Sequence, residues 1–259
     1  MTKKILSVAL AVLMLLIVAF PVNAAVEVTN VKVRGLVIDN NTAGPIPVWD
    51  YQNFAGFYYD LKYNRSTETL KLNGSVSDYS GRTIDKTELT YETKGVPVDF
   101  KVYEKETSDV SNSATWVKVD GDSSYNLVGW QAEKWIAIKG VSNKIAKLAF
   151  EMEKEDKKTL TTGETWSLGS GYELNINAID ARTTPRQVWF TLKKDGAIID
   201  EGIGQAPTTN TGEAKTKAVY FKKKTILGES DALLFTVYVD TIFSGATSDM
   251  VQFKYAWLI

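Results

Sequence analysis

The feature that most constrains the fold of this chain is a period-two alternation of apolar and polar residues that recurs along it. The stretches YELNIN at 172–177 and VWFTLK at 188–193 both show this alternation. Because successive side chains of a β-strand point to opposite faces, each such stretch predicts a strand that is buried on one side. The same rhythm predicts further strands at 31–38, 98–103, 235–239 and 253–257.

The segments between these stretches favour antiparallel pairing. Lys194, Asp195 and Gly196 separate the strand predicted at 188–193 from an apolar run at 197–199. Asp-Gly between two such runs is a strong hairpin signal. Many short strands joined by Gly, Asn, Asp, Ser and Thr turns indicate an all-β protein made of one or two antiparallel β-sandwich domains. The sequence leaves open whether one sandwich is inserted in the other.

An aromatic segment, WDYQNFAGFYYDL, occupies residues 49–61. Its second half alternates, which predicts a strand at 57–64 rather than an exposed stacking surface. Trp49 and Tyr58 are the two aromatic residues of the segment that we expect nearer the surface. The side chains expected to share the buried face of this strand are Phe57, Tyr59, Leu61 and Tyr63.

One segment has an ambiguous period. Residues 142–158 fit a helix at some positions and a strand at others, and we favour a strand at 147–153 followed by a charged loop. The charged run EMEKEDKK at 151–158 has the composition of a solvated linker. We therefore predict an N-terminal β-sandwich part at 25–157 and a C-terminal β-sandwich part at 158–259.

The N-terminus has the order of a secretory signal. Lys3 and Lys4 precede an apolar run at 5–20, and small residues follow up to Ala24. This pattern predicts a signal peptide at 1–24 and an exported protein. An uncleaved anchor is the alternative, although the apolar run is shorter than the roughly 20 residues that a membrane span requires. No later segment predicts a span, so we expect none in the mature chain.

The composition excludes several kinds of chemistry. The chain has neither cysteine nor histidine, so it can hold no disulfide, no thiol nucleophile and no Ser–His–Asp triad. The 30 basic and 31 acidic side chains give a net charge of −1, which provides no basic field for nucleic acid. No nucleophile elbow or phosphate loop occurs, and we predict a protein that is not an enzyme and has no cofactor. A glycosidase needs only two carboxylates and stays formally open.

A short acidic stretch resembles the start of a calcium loop. Asp120, Asp122 and Ser124 place oxygens at alternate positions. Tyr125 and Gln131, however, stand where an EF-hand requires glycine and a bidentate glutamate. A polar hairpin turn is the favoured interpretation, and a weak surface Ca²⁺ site is the alternative.

Three N-x-Ser/Thr sequons fall between residues 40 and 75. They mark one side of the N-terminal part as outward-facing if they carry glycans in an exported protein. The candidate acceptors are Asn40, Asn64 and Asn73.

Several phrases of the sequence resemble the S-layer duplication domain of methanogenic archaea. They occur in the order of that family and span nearly the whole chain after residue 24. The phrases are VRG at 33–35, QNFAGFYYD at 52–60, GWQAEK at 129–134, LTTG at 160–163, GYEL at 171–174, ID at 179–180, LKKDG at 192–196, ID at 199–200 and YAW at 255–257.

The resemblance implies β-sandwich domains that tile into a porous, glycosylated sheet around the cell. It implies a structural role at the cell surface, with self or other S-layer proteins as partners and glycans as further candidates. Principal members of the family carry the unit twice and end in a polar spacer and a membrane-spanning tail. This chain has the unit once and stops at Ile259, which implies a single-copy member.

Tiling a plane requires at least two different self-contacts, since one isologous patch gives only a closed dimer. Exposed aromatic residues are natural anchors for such contacts. A secreted or surface-attached module that binds carbohydrate or a partner protein is the alternative function, and a row of coplanar aromatic rings on one sheet face would favour it. Each candidate anchor is a tryptophan, a residue that lies more often in a core than at an interface. The candidates are Trp49, Trp116, Trp130, Trp166 and Trp189.

Overall fold

The computed structural model describes residues 48–73, 84–107 and 116–259. The predicted signal peptide, the strand predicted at 31–38 and the sequon at Asn40 lie outside these residues, so those three interpretations stay predictions.

The described part of the chain is built mainly from β-strands. In chain order the strands are β1 (Tyr59–Asp60), β2 (Arg65–Ser66), β3 (Glu68–Leu72), β4 (Leu89–Thr93), β5 (Val96–Asp99), β6 (Ser124–Trp130), β7 (Glu133–Ala137), β8 (Ile145–Ala146), β9 (Phe150–Glu151), β10 (Lys158–Thr161), β11 (Thr165–Gly169), β12 (Tyr172–Asp180), β13 (Gln187–Lys194), β14 (Ala197–Gln205), β15 (Val219–Ile226), β16 (Glu229–Ser244) and β17 (Asp249–Leu258). The helices are short: α1 (Lys101–Glu106), α2 (Gly212–Lys217) and a 3₁₀ turn at Ile138–Gly140.

All strand pairs within the described residues are antiparallel. Two hairpins, β1–β2 and β3–β4, precede a sheet of order β5-β6-β7-β8. A central sheet has the order β10-β17-β16-β15, with β9 also paired to β17. An outer sheet has the order β11-β12-β13-β14. The all-β sandwich class predicted from the sequence is confirmed.

The central sheet is buried on both faces. One face forms a core with the outer sheet, where Phe235 and Phe253 pack with Leu174, Ile176 and Phe190. The other face forms a second core with the sheet β5–β8, and its members include Val98, Leu127, Ile136, Tyr238, Tyr255 and Trp257. A strand buried on both sides needs apolar residues at nearly every position, which explains the run at 232–239 in β16. The predicted division at 157/158 stays a prediction.

A break in alternation lets β17 serve both cores. Phe253 faces the core of the outer sheet, whereas Tyr255 and Trp257 face the core of the sheet β5–β8. Tyr255 has φ +53°, and the register between β16 and β17 shifts beside it. Such a bulge re-aims every following side chain. The three rings at 253–257 are therefore in a strand, as predicted, but they do not share one face.

The outer sheet follows the sequence prediction closely. β12 and β13 are strands, and Leu174, Ile176, Val188, Phe190 and Leu192 are buried. The turn after β13 has positive φ at both Asp195 and Gly196, the backbone that a two-residue hairpin needs. The predicted hairpin is confirmed.

The strand predicted at 98–103 is only half right. Val98, Phe100 and Val102 are all buried, as the alternation predicts. The strand nevertheless ends at Asp99, and α1 begins at Lys101. A short helix that packs against a core can bury the same apolar residues as a strand would. The alternation therefore did not distinguish a helix from a strand here.

The strand predicted at 57–64 is wrong. Phe57 is buried, but Leu61 is 85% exposed and Tyr59 and Tyr63 are only partly buried. β1 is two residues long because the Asp60 carboxylate accepts hydrogen bonds from the backbone N–H groups of residues 62 and 63, at 3.0 and 3.1 Å. These bonds turn the chain back at once into β2. Asp side chains often bond to nearby backbone N–H groups in this way and so end regular secondary structure.

Residues 142–158 contain no helix. The strand favoured at 147–153 exists only as β9, paired with the end of β17, and β8 lies just before it. The charged residues that follow form a turn, as predicted.

Candidate self-association surfaces

For a protein without a predicted catalytic site, the candidate functional sites are its exposed apolar surfaces. Scattered single residues of this kind are normal, but patches mark contacts with other molecules. Among the described residues, the exposed large apolar side chains are Val48, Phe54, Leu61, Ile84, Leu89, Trp116, Trp130, Trp189, Ile198, Ile203 and Leu227.

Two of these residues lie side by side on the solvent face of the outer sheet. Trp189 on β13 is directly opposite Ile203 on β14, and Ala178 on β12 is its partner on the other side. Trp189 is 46% exposed and Ile203 is 65% exposed. We call Ala178, Trp189 and Ile203 the outer-face patch.

The outer-face patch follows from the alternation of the strands. Val188 and Phe190 fill the core, so Trp189 between them must point to solvent. On the same face, two residues along the strands from Trp189 and Ile203, Gln187 is paired with Gln205. The side-chain amide of Asn177 donates to the hydroxyl of Thr191 at 2.7 Å. An aromatic centre with a polar rim is the usual anatomy of a protein interface.

A second patch lies on the N-terminal hairpins. Phe54 is 41% exposed and contacts the buried ring of Phe57 at a centroid distance of 4.8 Å. Tyr91 lies 6.2 Å from Phe57 and 5.2 Å from Trp130, which is 40% exposed. We call Phe54, Tyr91 and Trp130 the N-terminal aromatic patch.

A buried carboxylate holds this second patch in place. Glu68 is 1% exposed and accepts hydrogen bonds from the Tyr91 hydroxyl and the Tyr58 N–H, both at 2.6 Å, and from the Ala132 N–H at 3.1 Å. A carboxylate surrounded by donors is satisfied without solvent. Burial first, and then the hydrogen bond to Glu68, raises the pKa of Tyr91 to about 12. The rings are thus positioned by a rigid polar support.

The tryptophans predicted as interface anchors divide into three groups. Trp116, Trp130 and Trp189 are exposed, Trp49 is half-buried, and Trp166 is 8% exposed within a core. Of the two alternatives for Trp166, the core is therefore right and the interface anchor is wrong, because the alternation of β11 points its side chain inward. Trp130 lies on β6, Trp189 lies on β13 and Trp116 lies outside the strands, so the three exposed tryptophans form no row on one sheet.

Sequence reasoning missed several residues of the two patches. Ile203 stands between Gly202 and Gly204. Its pairing with the outward-facing Trp189 on the neighbouring strand places it on the exposed face, and the register of that hairpin was the signal that could have identified it. Phe54 and Tyr91 are brought together only by the tertiary fold, so no local pattern identifies them. Tyr58, expected nearer the surface, is half-buried.

Two of the three predicted glycan acceptors lie in the described residues, and both are exposed. Asn64 sits in the turn between β1 and β2, where its Oδ1 accepts a hydrogen bond from the Tyr59 hydroxyl at 2.9 Å. The Nδ2 of Asn73 donates to the carbonyl of Thr87 at 2.9 Å. Glycosylation itself stays a prediction.

The acidic stretch at 120–124 begins with a two-residue turn. The backbones of Val119 and Asp122 exchange two hydrogen bonds of 2.9 Å around Asp120 and Gly121. The Asp120 carboxylate pairs with Lys223 at 2.6 Å. Within the ranges that the structure describes, no group of three or more acidic side chains could hold a metal ion. The weak Ca²⁺ site stays a prediction.

No helix within residues 48–73, 84–107 and 116–259 is long and apolar enough to cross a membrane.

Comparison with known proteins identifies the family. A family model described as S-layer protein matches residues 38–259, which is most of the chain. The chain belongs to the S-layer protein family. This family comprises structural proteins of the cell surface, and the chain is accordingly a structural component of that kind.

The relatives of this S-layer family member come from methanogenic archaea. It is 33% identical to the major S-layer protein of Methanosarcina acetivorans, over 99% of this chain and 36% of that protein. It is 34% identical to the major S-layer protein of Methanosarcina barkeri, over 88% of this chain and 30% of that protein. The chain thus spans about a third of the length of the relatives it matches.

Proposed function

We propose that this S-layer family protein self-associates into a two-dimensional lattice through the outer-face patch and the N-terminal aromatic patch. The observation that carries the proposal is the presence of two exposed apolar patches on different sheets of one chain. The role is structural, and the proposal includes no catalytic activity. The family and the names of the relatives support it.

Two separate patches meet the geometric requirement of a sheet. A single isologous patch closes into a dimer, whereas a second, different contact lets each copy bind further neighbours and extend the assembly. Trp189 and Trp130 supply large aromatic side chains, which dominate the energies of protein interfaces. The scattering of exposed tryptophans over separate elements favours tiling over a sheet-face carbohydrate module.

The positions of the two described sequons are compatible with contacts through the outer-face patch. Asn64 and Asn73 both belong to the N-terminal hairpins, outside the outer-face patch. A glycan on Nδ2 of Asn64 would leave the bond from Tyr59 to its Oδ1 intact. We infer that glycans at these positions face solvent and leave contacts of the outer sheet uncovered.

Sedimentation velocity on the purified chain tests the proposal. The wild-type protein should form large assemblies at rising concentration. Trp189→Glu should remove one contact, and the double change Phe54→Glu with Trp130→Glu should remove the other, so each variant should stop at small closed oligomers. Leu227→Glu is the matched control, because Leu227 is 58% exposed in the β15–β16 hairpin and belongs to neither patch.

Assembly of the Trp189→Glu and Phe54→Glu/Trp130→Glu variants at the wild-type concentration would overturn the proposed contacts. A wild-type chain that stays monomeric at all concentrations would overturn self-association itself.

A further inference from the structure

A cavity of about 470 Å³ opens between the sheet β5–β8 and the central sheet. Its walls come from β6, β7 and the 3₁₀ turn on one side, and from β15, β16 and the end of β17 on the other. A pocket of this volume, held between two sheets, is within the range that binds small molecules. It lies apart from both apolar patches, none of whose residues line it.

The floor of the cavity is aromatic. Phe100, Tyr125 and Trp257 line it, and their ring centroids lie 5.3–5.5 Å from one another. All three side chains are at least nine-tenths buried, so the floor is a fixed surface of packed rings. Such a surface offers an apolar contact to one side of a ligand.

The mouth of the cavity carries carboxylates of two kinds. Asp120 is paired with Lys223 at 2.6 Å. Asp122 and Asp231 also line the cavity, and within the described residues their carboxylates accept no hydrogen bond and form no ion pair. The hydrogen bond that the Lys223 ammonium donates to Asp120 raises the pKa of Lys223, burial opposes this shift, and the charges of Asp120, Asp231 and Asp122 add to it.

Donors stand beside these acceptors. Asn126, Ser124 and Lys139 line the same cavity and carry amide, hydroxyl and ammonium donors, of which the Lys139 ammonium also donates to the carbonyl of Ser230 at 3.1 Å. Three carboxylates and two lysines almost balance in charge, so the site favours neither a strong anion nor a strong cation. A ligand that fits must accept and donate hydrogen bonds in turn and present an apolar side to the rings.

We propose that this cavity binds a neutral mono- or disaccharide, with hydroxyl groups at Asp122, Asp231 and Asn126 and the apolar side of the sugar ring toward the aromatic floor. Hydroxyl groups both donate and accept, which matches the mixed lining. A hydrogen bond to a carboxylate is stronger than one between neutral groups, so the two aspartates should contribute most of the affinity.

Saturation-transfer difference NMR tests the proposal on the full chain, with methyl glycosides of glucose, galactose, mannose and N-acetylglucosamine as probes. At least one glycoside should receive saturation and give a dissociation constant by titration. The double change Asp122→Asn with Asp231→Asn should weaken that binding by about tenfold or more. Asn126→Trp should abolish it by filling the mouth, since Asn126 is exposed and tolerates a larger side chain.

The matched control removes two exposed carboxylates from the outer sheet, Asp195→Asn with Glu201→Gln, and should bind as the wild type does. Circular dichroism confirms that each variant is folded. Absence of binding by every glycoside at millimolar concentration would overturn the proposal. So would equal binding by the wild type and both cavity variants, or displacement of the glycoside by choline or arginine at comparable concentration, which would identify a site for organic cations.

Discussion

At the scale of single residues, the most consequential polar contact is a buried ion pair. Lys215 of α2 and Glu106 of α1 are 7% and 8% exposed, and their charged atoms lie 2.7 Å apart. The Tyr255 hydroxyl donates to the other oxygen of Glu106 at 2.8 Å. This network joins two helices that are distant in sequence to the central sheet.

Lys215→Met should destabilise the protein by about 3–5 kcal/mol, because it leaves the Glu106 carboxylate buried without its counter-charge. Urea unfolding measures the change. Lys217→Met is the control, since its pair with Glu213 is largely exposed and should contribute little to the free energy of unfolding. Equal losses of unfolding free energy in the two variants would show that the buried pair of Lys215 and Glu106 does not account for the destabilisation.

Two neighbouring rings give a second prediction at this scale. Phe57 is 7% exposed, so Phe57→Ala should cost about 3 kcal/mol of unfolding free energy. Tyr59, which the alternation placed on the same buried face, is only half-buried and stacks on Tyr51 at 4.7 Å. Tyr59→Ala should therefore cost no more than about 1.5 kcal/mol. Thermal unfolding of the two variants measures the difference, and equal losses of stability would contradict the turn at Asp60 that takes Tyr59 out of the buried face.

At the scale of elements, the N-terminal hairpins depend on a close backbone approach. A Cβ on Gly129 of β6 would lie 2.6 Å from the Thr67 hydroxyl and 2.8 Å from Cβ of Tyr58. The Thr67 hydroxyl also accepts a hydrogen bond from the Gly129 N–H at 2.7 Å. Only glycine lets the strand come this near to the residues that lead into β3.

Gly129→Ala should lower stability by about 1–3 kcal/mol, as overpacking of a tight contact does. Gly95→Ala is the control, because the nearest atom to its added Cβ is 3.5 Å away, an ordinary contact. Hydrogen exchange should show faster opening of β3 and β4 in the Gly129 variant alone. Unchanged exchange there would mean that the hairpins are held by other contacts.

The accuracy of sequence interpretation also varies by element. β12 and β13 are long and alternate cleanly, so alternation predicted them, and the Asp-Gly turn predicted the hairpin into β14, of which the sequence indicated only the apolar run at 197–199. The segments 57–64 and 98–103 alternate equally well, yet a side-chain hydrogen bond at Asp60 and the helix beginning at Lys101 override the pattern. Alternation reports which side chains are buried, and it does not report how far a strand continues.

The candidate sites were less predictable than the strands because most of their residues come together only in the tertiary structure. Trp189 could be identified because its neighbours on β13 are so clearly inward. The N-terminal aromatic patch and the cavity are assembled from elements far apart in sequence. Their residues become neighbours only through contacts such as those of Glu68, which no local period encodes.

At the scale of the whole molecule, the tyrosines predict a limit of alkaline stability. Burial first, with the charge of Asp60 next, raises the pKa of Tyr58 to about 12, and burial also raises the pKa values of Tyr125, Tyr220, Tyr238 and Tyr255. A raised pKa in the folded state gives stability that is complete below the unfolded value near 10 and is lost as the pH rises further. The protein should therefore lose unfolding free energy from about pH 10 upward.

Absorbance of phenolate at high pH, recorded together with circular dichroism, checks this expectation. The buried tyrosines should ionise only as the β-signal is lost. Complete ionisation near pH 10 with the fold intact would contradict the burial of these hydroxyls.

The central claim is that two different surfaces of one chain build an extended sheet, and electron microscopy of the concentrated protein tests it most directly. We predict planar arrays for the wild type and the Leu227→Glu control, and only small closed particles for Trp189→Glu and for Phe54→Glu/Trp130→Glu. Planar arrays in either patch variant, or separate monomers in the wild type, would contradict the account.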